Sequence, residues 1–445
     1  MRELEALFEW AATRRWSDLP TRVRQRARWI LADDLAAMIA AGAEPEVEAY
    51  RRLIEGRRSV GEATIVATGL PKTDRWQAAS ANGVAITWCE LDEGFRLATC
   101  HAGAYAIPAL LAEADVGGLN LSEVLTSLVV SYECVTRFAT CFRAQTPKVH
   151  THALWSPVGA AAAVSLARRY DPKQMFDAVT AATTLGSLGP RPHLVEGVLV
   201  RNGWAAAGAV AGMQCADWAL CGIGGASSSA PAVYRDILGS EIHADALNSG
   251  LGERWAVESG YHKLHACCQH GHSAVEAILE ARKDAPIDVD AIASIEAFTH
   301  PLAYTLANAR PETGLGAKFS MPHMIAATLV YGSADPASFA PAALKDPRVA
   351  QLRERVKLKR YEGDMTPPLD RPARIVIAFA NGDQRIAECR SARGGPDRPL
   401  SDTELRDKIA RLSAGVLPGL ERFVGDNDRD ADRPWATVLD GMTGA

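Results

Sequence analysis

The sequence predicts a mainly α protein: a large all-helical domain, and a smaller α+β unit inserted before a C-terminal helical segment. Three observations predict it. Up to about residue 260 apolar residues recur at helical spacing, among long runs of alanine and glycine. Beyond that point two stretches, Ala291 to His300 and Ala373 to Cys389, alternate apolar and polar residues. The second holds Asn381-Gly382 between strand-like runs, a strong hairpin signal. From Ser401 the pattern is helical again, with Ser401 and Glu404 at capping-box spacing. The expected division is 1–259 with 396–445 as the helical domain, and 260–395 as the α+β domain.

In chain order, Arg22 to Ala41 has apolar residues at helical spacing and stops at Gly42. Asp74 to Leu91 continues as an alanine-rich helix, and Asn120 or Ser122 can cap a helix running to about Phe142. Gly159 to Tyr170 reads as the next helix. Asp171-Pro172 then supplies an N-cap and a first-turn proline for a helix to about Leu185. Gly203 to Leu220 is rich in small residues, which implies close packing against other helices, and Gly222 to Ala230 reads as a flexible loop. In the α+β unit, helical pieces are expected at Gly316 to Tyr331 and Pro347 to Leu358. A further helix is expected over Ala274 to Leu279, after the stretch GYHKLHACCQHGHS.

Composition excludes several classes. A chain of 445 residues is too long for one ordinary core, and its net charge of −5 with no basic stripe gives no nucleic-acid footprint. No apolar run reaches bilayer-spanning length, and MRELEALFEW has no secretory signal core. Nine scattered cysteines, an odd number, point to reduced thiols and a cytoplasmic location. No GxSxG, Walker A or GxGxxG motif before a helix is present, which removes serine hydrolases, P-loop enzymes and Rossmann oxidoreductases.

Five stretches carry candidate chemistry. Glu90-Leu91-Asp92-Glu93 precedes Cys100-His101, so a carboxylate and a histidine can converge across a short loop. The bland alternative is a solvated acidic turn. Lys148-Val149-His150-Thr151-His152 precedes a helix, with two histidines but no evident third metal ligand. Arg201, before the Ala/Gly-rich helix, can clamp a carboxylate or simply face solvent. Lys263, Cys267 and Cys268 stand among His262, His265, His270 and His272. Adjacent cysteines do not chelate one ion as CxxC does, so structural zinc is disfavoured. A Cys-His nucleophile with a lowered thiol pKa stays open beside a buried small-residue reading. Lys318-Phe319-Ser320-Met321-Pro322-His323 reads first as a helix start.

Taken together in this order, the five stretches resemble the MmgE/PrpD family of dehydratases, decarboxylases and epimerases. The resemblance runs from DDLAAMIAAG to the hairpin near residue 380. It implies a helical domain built from both ends of the chain and an α+β lid between them. It also implies a homodimer, an active site in the interdomain cleft, and no metal or organic cofactor. Residue by residue, it points to Asp92, His101, His150 (with His152 as the other register), Lys263 and Cys268 as catalytic. Arg201, Lys318 and His323 are the implied substrate-binding residues. Arg201 stands where lysine is frequent, with Gly212 in place downstream; Cys268 stands where the decarboxylases have histidine; His323 stands where an aromatic residue is common.

The implied activity is a cofactor-independent, dehydratase-type lyase moving a proton at carbon next to a carboxylate of a small di- or tricarboxylate. Arg201 and Lys263 would hold carboxylates, His101 and His150 would exchange protons, and Asp92 would orient or act as partner base. The alternative is an epimerase or isomerase of an iminodisuccinate-like dicarboxylate. Cis-aconitate-type decarboxylation and an inactive helical interaction protein rank behind. His262, His265, His270 and His272 are assigned to scaffold, surface or helix start, and Gly260 and Gly394-Gly395 are the expected hinge points.

Overall fold

A computed structural model of the chain describes residues 1–144, 148–284, 286–425 and 428–444. The fold is mainly α with a small α+β part. Helices α1 (Arg2–Ala12), α2 (Thr21–Ala41), α3 (Pro45–Glu55) and α4 (Arg75–Ile86) lead into α5 (Ala102–Gly117) and α6 (Leu121–Cys141). These are followed by α7 (Thr151–Ala167), α8 (Pro172–Ala182) and α9 (Trp204–Leu220). Helix α7 is central and packs on α5, α6, α8 and α9. Its alanines, Ala160 to Ala163, are all buried, so it has little amphipathic contrast and is apolar nearly all round. A Cβ at Gly212 would stand 2.6 Å from the Ala161 nitrogen, so that glycine lets α9 lie directly on α7.

Helix α7 starts at Thr151 rather than at Gly159, where the small-residue run begins. His150 supplies the cap: its Nδ1 accepts the backbone N–H of His152 at 3.1 Å. Pro157 lies inside the helix and has no N–H for the carbonyl of Ala153. That carbonyl accepts from the Ser187 N–H instead, at 3.1 Å. The caps at Asn120 (with Glu123), Asp171 (with Gln174) and Ser401 (with Glu404) form as the sequence predicts, each a reciprocal box. The Gly222 to Ala230 stretch is anchored rather than loose, with the Gly225 N–H bonded to the Asp177 carbonyl at 3.0 Å.

After residue 271 come α10 (His272–Asp284), β1 (Ile292–Thr299), α11 (Met321–Tyr331), α12 (Pro347–Arg355), β2 (Val356–Arg360), β3 (Ala373–Phe379) and β4 (Gln384–Cys389). The strands form one sheet in the order β4-β3-β1-β2, antiparallel except for the β1–β2 pair. The β3–β4 turn closes with Gly382 N–H on the Phe379 carbonyl at 3.0 Å, and Gly382 has φ +92°. Two expectations are corrected. Leu358 lies in β2 opposite Ala297, because Val356-Lys357-Leu358-Lys359 has the period of an edge strand, not of a helix. Gly316 to Tyr331 is not continuous: it breaks at Phe319-Ser320, where the Ser320 side chain accepts from His323 N–H and starts α11 afresh.

The tail returns as α13 (Asp402–Ser413), packed on α2. The two chain segments linking helices and sheet run side by side, with His262 N–H on the Gly394 carbonyl at 2.9 Å. Gly394 has φ +104°, and a Cβ there would stand 2.0 Å from the His262 carbonyl oxygen, so only glycine fits the crossing. No helix among the described residues is long and apolar enough to cross a membrane. All nine cysteines are free.

Candidate active site

The acidic stretch after α4 is a tightly held loop. Glu90 has φ +53°, a left-handed conformation costly for a side chain with a Cβ. Behind it, the Leu91 carbonyl accepts from Lys408 Nζ on α13 at 3.0 Å, and the Glu93 N–H donates to Asp34 Oδ1 on α2 at 2.9 Å. Gly94-Phe95 then pairs antiparallel with Gly260-Tyr261, and Arg96 N–H bonds the Ser259 carbonyl. That short ladder carries Lys263 across the acidic loop.

Lys263 is buried between two carboxylates, 3.2 Å from Glu90 Oε2 and 3.1 Å from Asp92 Oδ1. The other oxygen of Glu90 pairs with Arg201 at 2.5 Å. The other oxygen of Asp92 lies 2.7 Å from His101 Nδ1, which is also 3.0 Å from the Glu93 carbonyl. Both partners of Nδ1 are acceptors, so Nδ1 carries the proton and Nε2 is the basic nitrogen. Burial alone would raise Asp92, but Lys263 and His101 outweigh it and hold the carboxyl below its usual range. Glu90 is lowered in the same way, with Arg201 and Lys263 overcoming burial. Burial opposes the Lys263 charge, yet Asp92 and Glu90 reverse the balance and raise its pKa.

Arg201 comes from a 3₁₀ turn, Leu199–Gly203, directly before α9. It donates to the Thr87 carbonyl at 3.3 Å and to Asn202 Oδ1 at 3.0 Å, and it lies over the Phe319 ring. His150 holds its ring against Trp204, with Nδ1 engaged as the cap acceptor, so Nε2 carries its proton. Burial, reinforced by Arg201, pushes its pKa well down and keeps it neutral. His152 stands behind His101 and His150, its Nδ1 2.9 Å from the Tyr105 hydroxyl. These groups surround a cavity of about 430 Å³, whose walls include Glu90, His101, His150, Arg201, Lys263 and Cys268. Glu90 is the one carboxylate among the described lining residues. A base held by a carboxylate, cations at hand and a neutral imidazole N–H can together take a proton from carbon and stabilise the resulting charge.

Asp92 sits directly behind this wall, bonded to His101 and Lys263. Three other expectations are revised. Lys318 does not face the cavity: Nζ donates to the Trp88 carbonyl at 2.8 Å and lies 3.8 Å from Glu44, so it ties the α11 side of the molecule to the helices. His323 is fully buried away from the cavity, with Nε2–H on the Ser338 carbonyl at 2.8 Å and Arg353 beside Nδ1. Burial lowers it to about 4. Cys268 lines the cavity, but burial pushes its thiol up to about 11, so the activated nucleophile suggested by the nearby lysine does not form.

The histidine cluster diverges instead of converging. His262 Nδ1 lies 2.7 Å from Asp33, His265 pairs with Glu276 and His272 donates to the Cys267 carbonyl. His270, assigned to the scaffold by sequence, lines the cavity. The sequence singled out neither Arg191 nor Arg371, and within the acidic stretch it pointed to Asp92 rather than Glu90. Glu90 and Asp92, two residues apart in one acidic loop, were a usable signal. So was Arg191 set between Pro190 and Pro192, which fixes its backbone; Arg371 carried none.

Residues 5–232 match the MmgE/PrpD N-terminal domain and residues 265–424 the MmgE/PrpD C-terminal domain. The chain is similar to a cis-aconitate decarboxylase-like protein, oryM, of Aspergillus oryzae: 25% identity over 440 residues, 92% of this chain and 90% of that protein. It is also similar to a cis-aconitate decarboxylase of Aspergillus terreus, at 22% identity over 448 residues, 92% of this chain and 89% of that one.

Proposed function

This chain belongs to the MmgE/PrpD family, and on that premise we propose that it is a cofactor-independent lyase of the dehydratase type. Its substrate is a small di- or tricarboxylate bearing a hydroxyl. The observation that carries this reading is the Asp92–His101 pair at 2.7 Å, with His101 on the cavity wall beside the Arg201–Glu90–Lys263 ion network.

His101 Nε2 removes the proton from carbon next to a carboxylate. Arg201 and Lys263 stabilise the charge that builds on that carboxylate, and Asp92 stabilises the imidazolium. The carbon–carbon double bond forms as the carbon–oxygen bond breaks. The hydroxyl leaves as water with the proton that His101 has taken up. His150 donates a hydrogen bond from Nε2 but does not exchange a proton, because Nδ1 is held by the His152 N–H and the ring is kept neutral. Cys268 remains a neutral thiol in the wall.

One histidine moving the proton in both directions suits elimination better than epimerisation, which needs working groups on two faces of the carbon. The second reading is decarboxylation, favoured by the similarity to cis-aconitate decarboxylases. It uses the same His101 as proton donor to the carbanion left by CO₂. The active species in either reading is a homodimer.

The test is a panel of polycarboxylates followed by proton NMR in deuterated water. A new vinylic proton with loss of the hydroxyl supports dehydration. Loss of one carboxyl with deuterium incorporation selects decarboxylation, and exchange or inversion without loss selects the epimerase. A folded protein that changes none of them sinks the reading.

A further inference from the structure

Charge is distributed unevenly along the cavity. On the His101 side the fixed charges are matched: Arg201 and Lys263 face Glu90 and Asp92. Past Cys268 the chain continues into Gln269 and His270, both on the wall, and there the balance fails. Arg371, just before β3, bonds Gln269 Oε1 and keeps 15% of its side-chain exposure. Its nearest carboxylate, Asp370, is 3.8 Å away and is already engaged by Arg96 at 2.6 Å. Arg191 reaches the wall from the helical side, and no carboxylate among the described residues pairs with it.

The placement of Arg191 is built, not incidental. Its N–H bonds the Lys148 carbonyl at 2.9 Å, while His150 N–H bonds the Gly189 carbonyl at 2.9 Å. With the Ser187–Ala153 bond that Pro157 makes possible, these lock the Gly189-Pro190-Arg191-Pro192 loop to the start of α7. His270 Nδ1 is buried without a hydrogen-bond partner among the described residues. The fixed charges acting on His270 are the arginines Arg371, Arg191 and Arg96, with no carboxylate beside them. Arg191 and Arg371, each lacking a full counter-charge, and an unpaired buried imidazole nitrogen leave this end of the cavity with an excess of positive charge that an anion would neutralise.

We infer that Arg191, His270 and Arg371 form a second carboxylate subsite, which holds a carboxylate of the substrate remote from the carbon at which His101 works. Arg191 comes from the helices and Arg371 from the sheet side, so the remote carboxylate bridges the two. This inference rests on the proposed function for the role of His101, and it narrows the substrate class. The substrate carries at least two carboxylates separated along its chain, one for Arg201 and Lys263 and one for Arg191 and Arg371. Bidentate geometry makes arginine suited to that second role.

The experiment measures binding, so it does not require turnover. Calorimetric titration compares glutarate with its monoamide, which keeps the size and loses one of the two carboxylates. The full-length protein should prefer the diacid by on the order of tenfold or more, the range for a charged hydrogen bond. Arg371→Gln and Arg191→Gln should bind the two probes alike, within about twofold, whereas Arg371→Lys, which keeps the charge, should retain part of the preference. A preference that survives in both glutamine variants overturns the subsite, as does a wild-type protein that binds neither probe or shows no preference. The preference in a protein that turns over no polycarboxylate would uphold the subsite while sinking the lyase reading. Turnover with no preference would do the reverse.

Discussion

Two lysine–aspartate–histidine triads lie in this molecule, built alike and placed differently. In one, Lys263 is 3.1 Å from Asp92 Oδ1 and His101 Nδ1 is 2.7 Å from Asp92 Oδ2. In the other, Lys408 is 2.5 Å from Asp33 Oδ1 and His262 Nδ1 is 2.7 Å from Asp33 Oδ2. The His101 side chain keeps 13% exposure and faces the cavity; that of His262 keeps 3%, and its Nε2 is buried without a partner among the described residues. The same three groups therefore make a candidate base in one place and a buried brace in the other. Access, not composition, separates them.

The sharpest way to break this comparison is to remove each histidine. His101→Gln should cut turnover by about 10³-fold, within the range for loss of a general base, and leave the melting temperature near wild type. His262→Gln should do the opposite, keeping turnover within about threefold and costing about 1–2 kcal/mol of stability in urea titration. Equal losses of activity would end the distinction by access.

The lysines test the shared part. Lys263→Met takes a buried cation from Glu90 and Asp92 and Lys408→Met takes one from Asp33, and each should destabilise by about 3–5 kcal/mol. Only Lys263→Met should also abolish binding of a polycarboxylate, as read by calorimetry. If Lys408→Met abolishes binding equally in the folded fraction, the brace is part of the site.

Lys318 sharpens the boundary of the cavity. Lys318→Met should cost about 1–3 kcal/mol through the lost bond to the Trp88 carbonyl, with KM unchanged. A large rise in KM at unchanged stability would restore the substrate-binding role expected from its motif.

The smallest effect is in the acid limb of stability. Burial lowers the His262 pKa below its ordinary 6.5 despite Asp33, so the unfolded chain takes up a proton near pH 6.5 that the folded one refuses. The stability contribution is full above 6.5 and is lost as pH falls through the lower folded value. His262→Gln should flatten that limb by up to about 1.4 kcal/mol per pH unit, measured by unfolding between pH 7 and 5. An unchanged slope would mean that the native state protonates His262 as readily as the unfolded chain.

Local chemistry was legible in the sequence because it depends on neighbours along the chain. The caps at Asn120, Asp171 and Ser401, the Asn381-Gly382 turn and the helical period of α2 are all set within a few residues. So were the residue types of the site, Asp92, His101, His150, Arg201 and Lys263. What spacing misjudged had two sources: Leu358 pairs in an edge strand with the distant Ala297, and the start of α7 is set at Thr151 by a local cap, His150, ahead of the small-residue run.

By itself, then, the sequence determined the helical class, the α+β insert and the pool of acids, bases and cations. Only the tertiary structure decided which of them meet. Lys263 and Glu90 are 173 positions apart, and Lys408 reaches Leu91 across 317. Lys318 and His323 belong to a motif yet turn away from the cavity; His270, assigned to the scaffold, and Arg371, in no motif, line it. The physical reason is that charge and burial act through space. A buried lysine keeps its proton, and a histidine becomes a candidate base or a brace, according to groups that the order of residues does not place beside it.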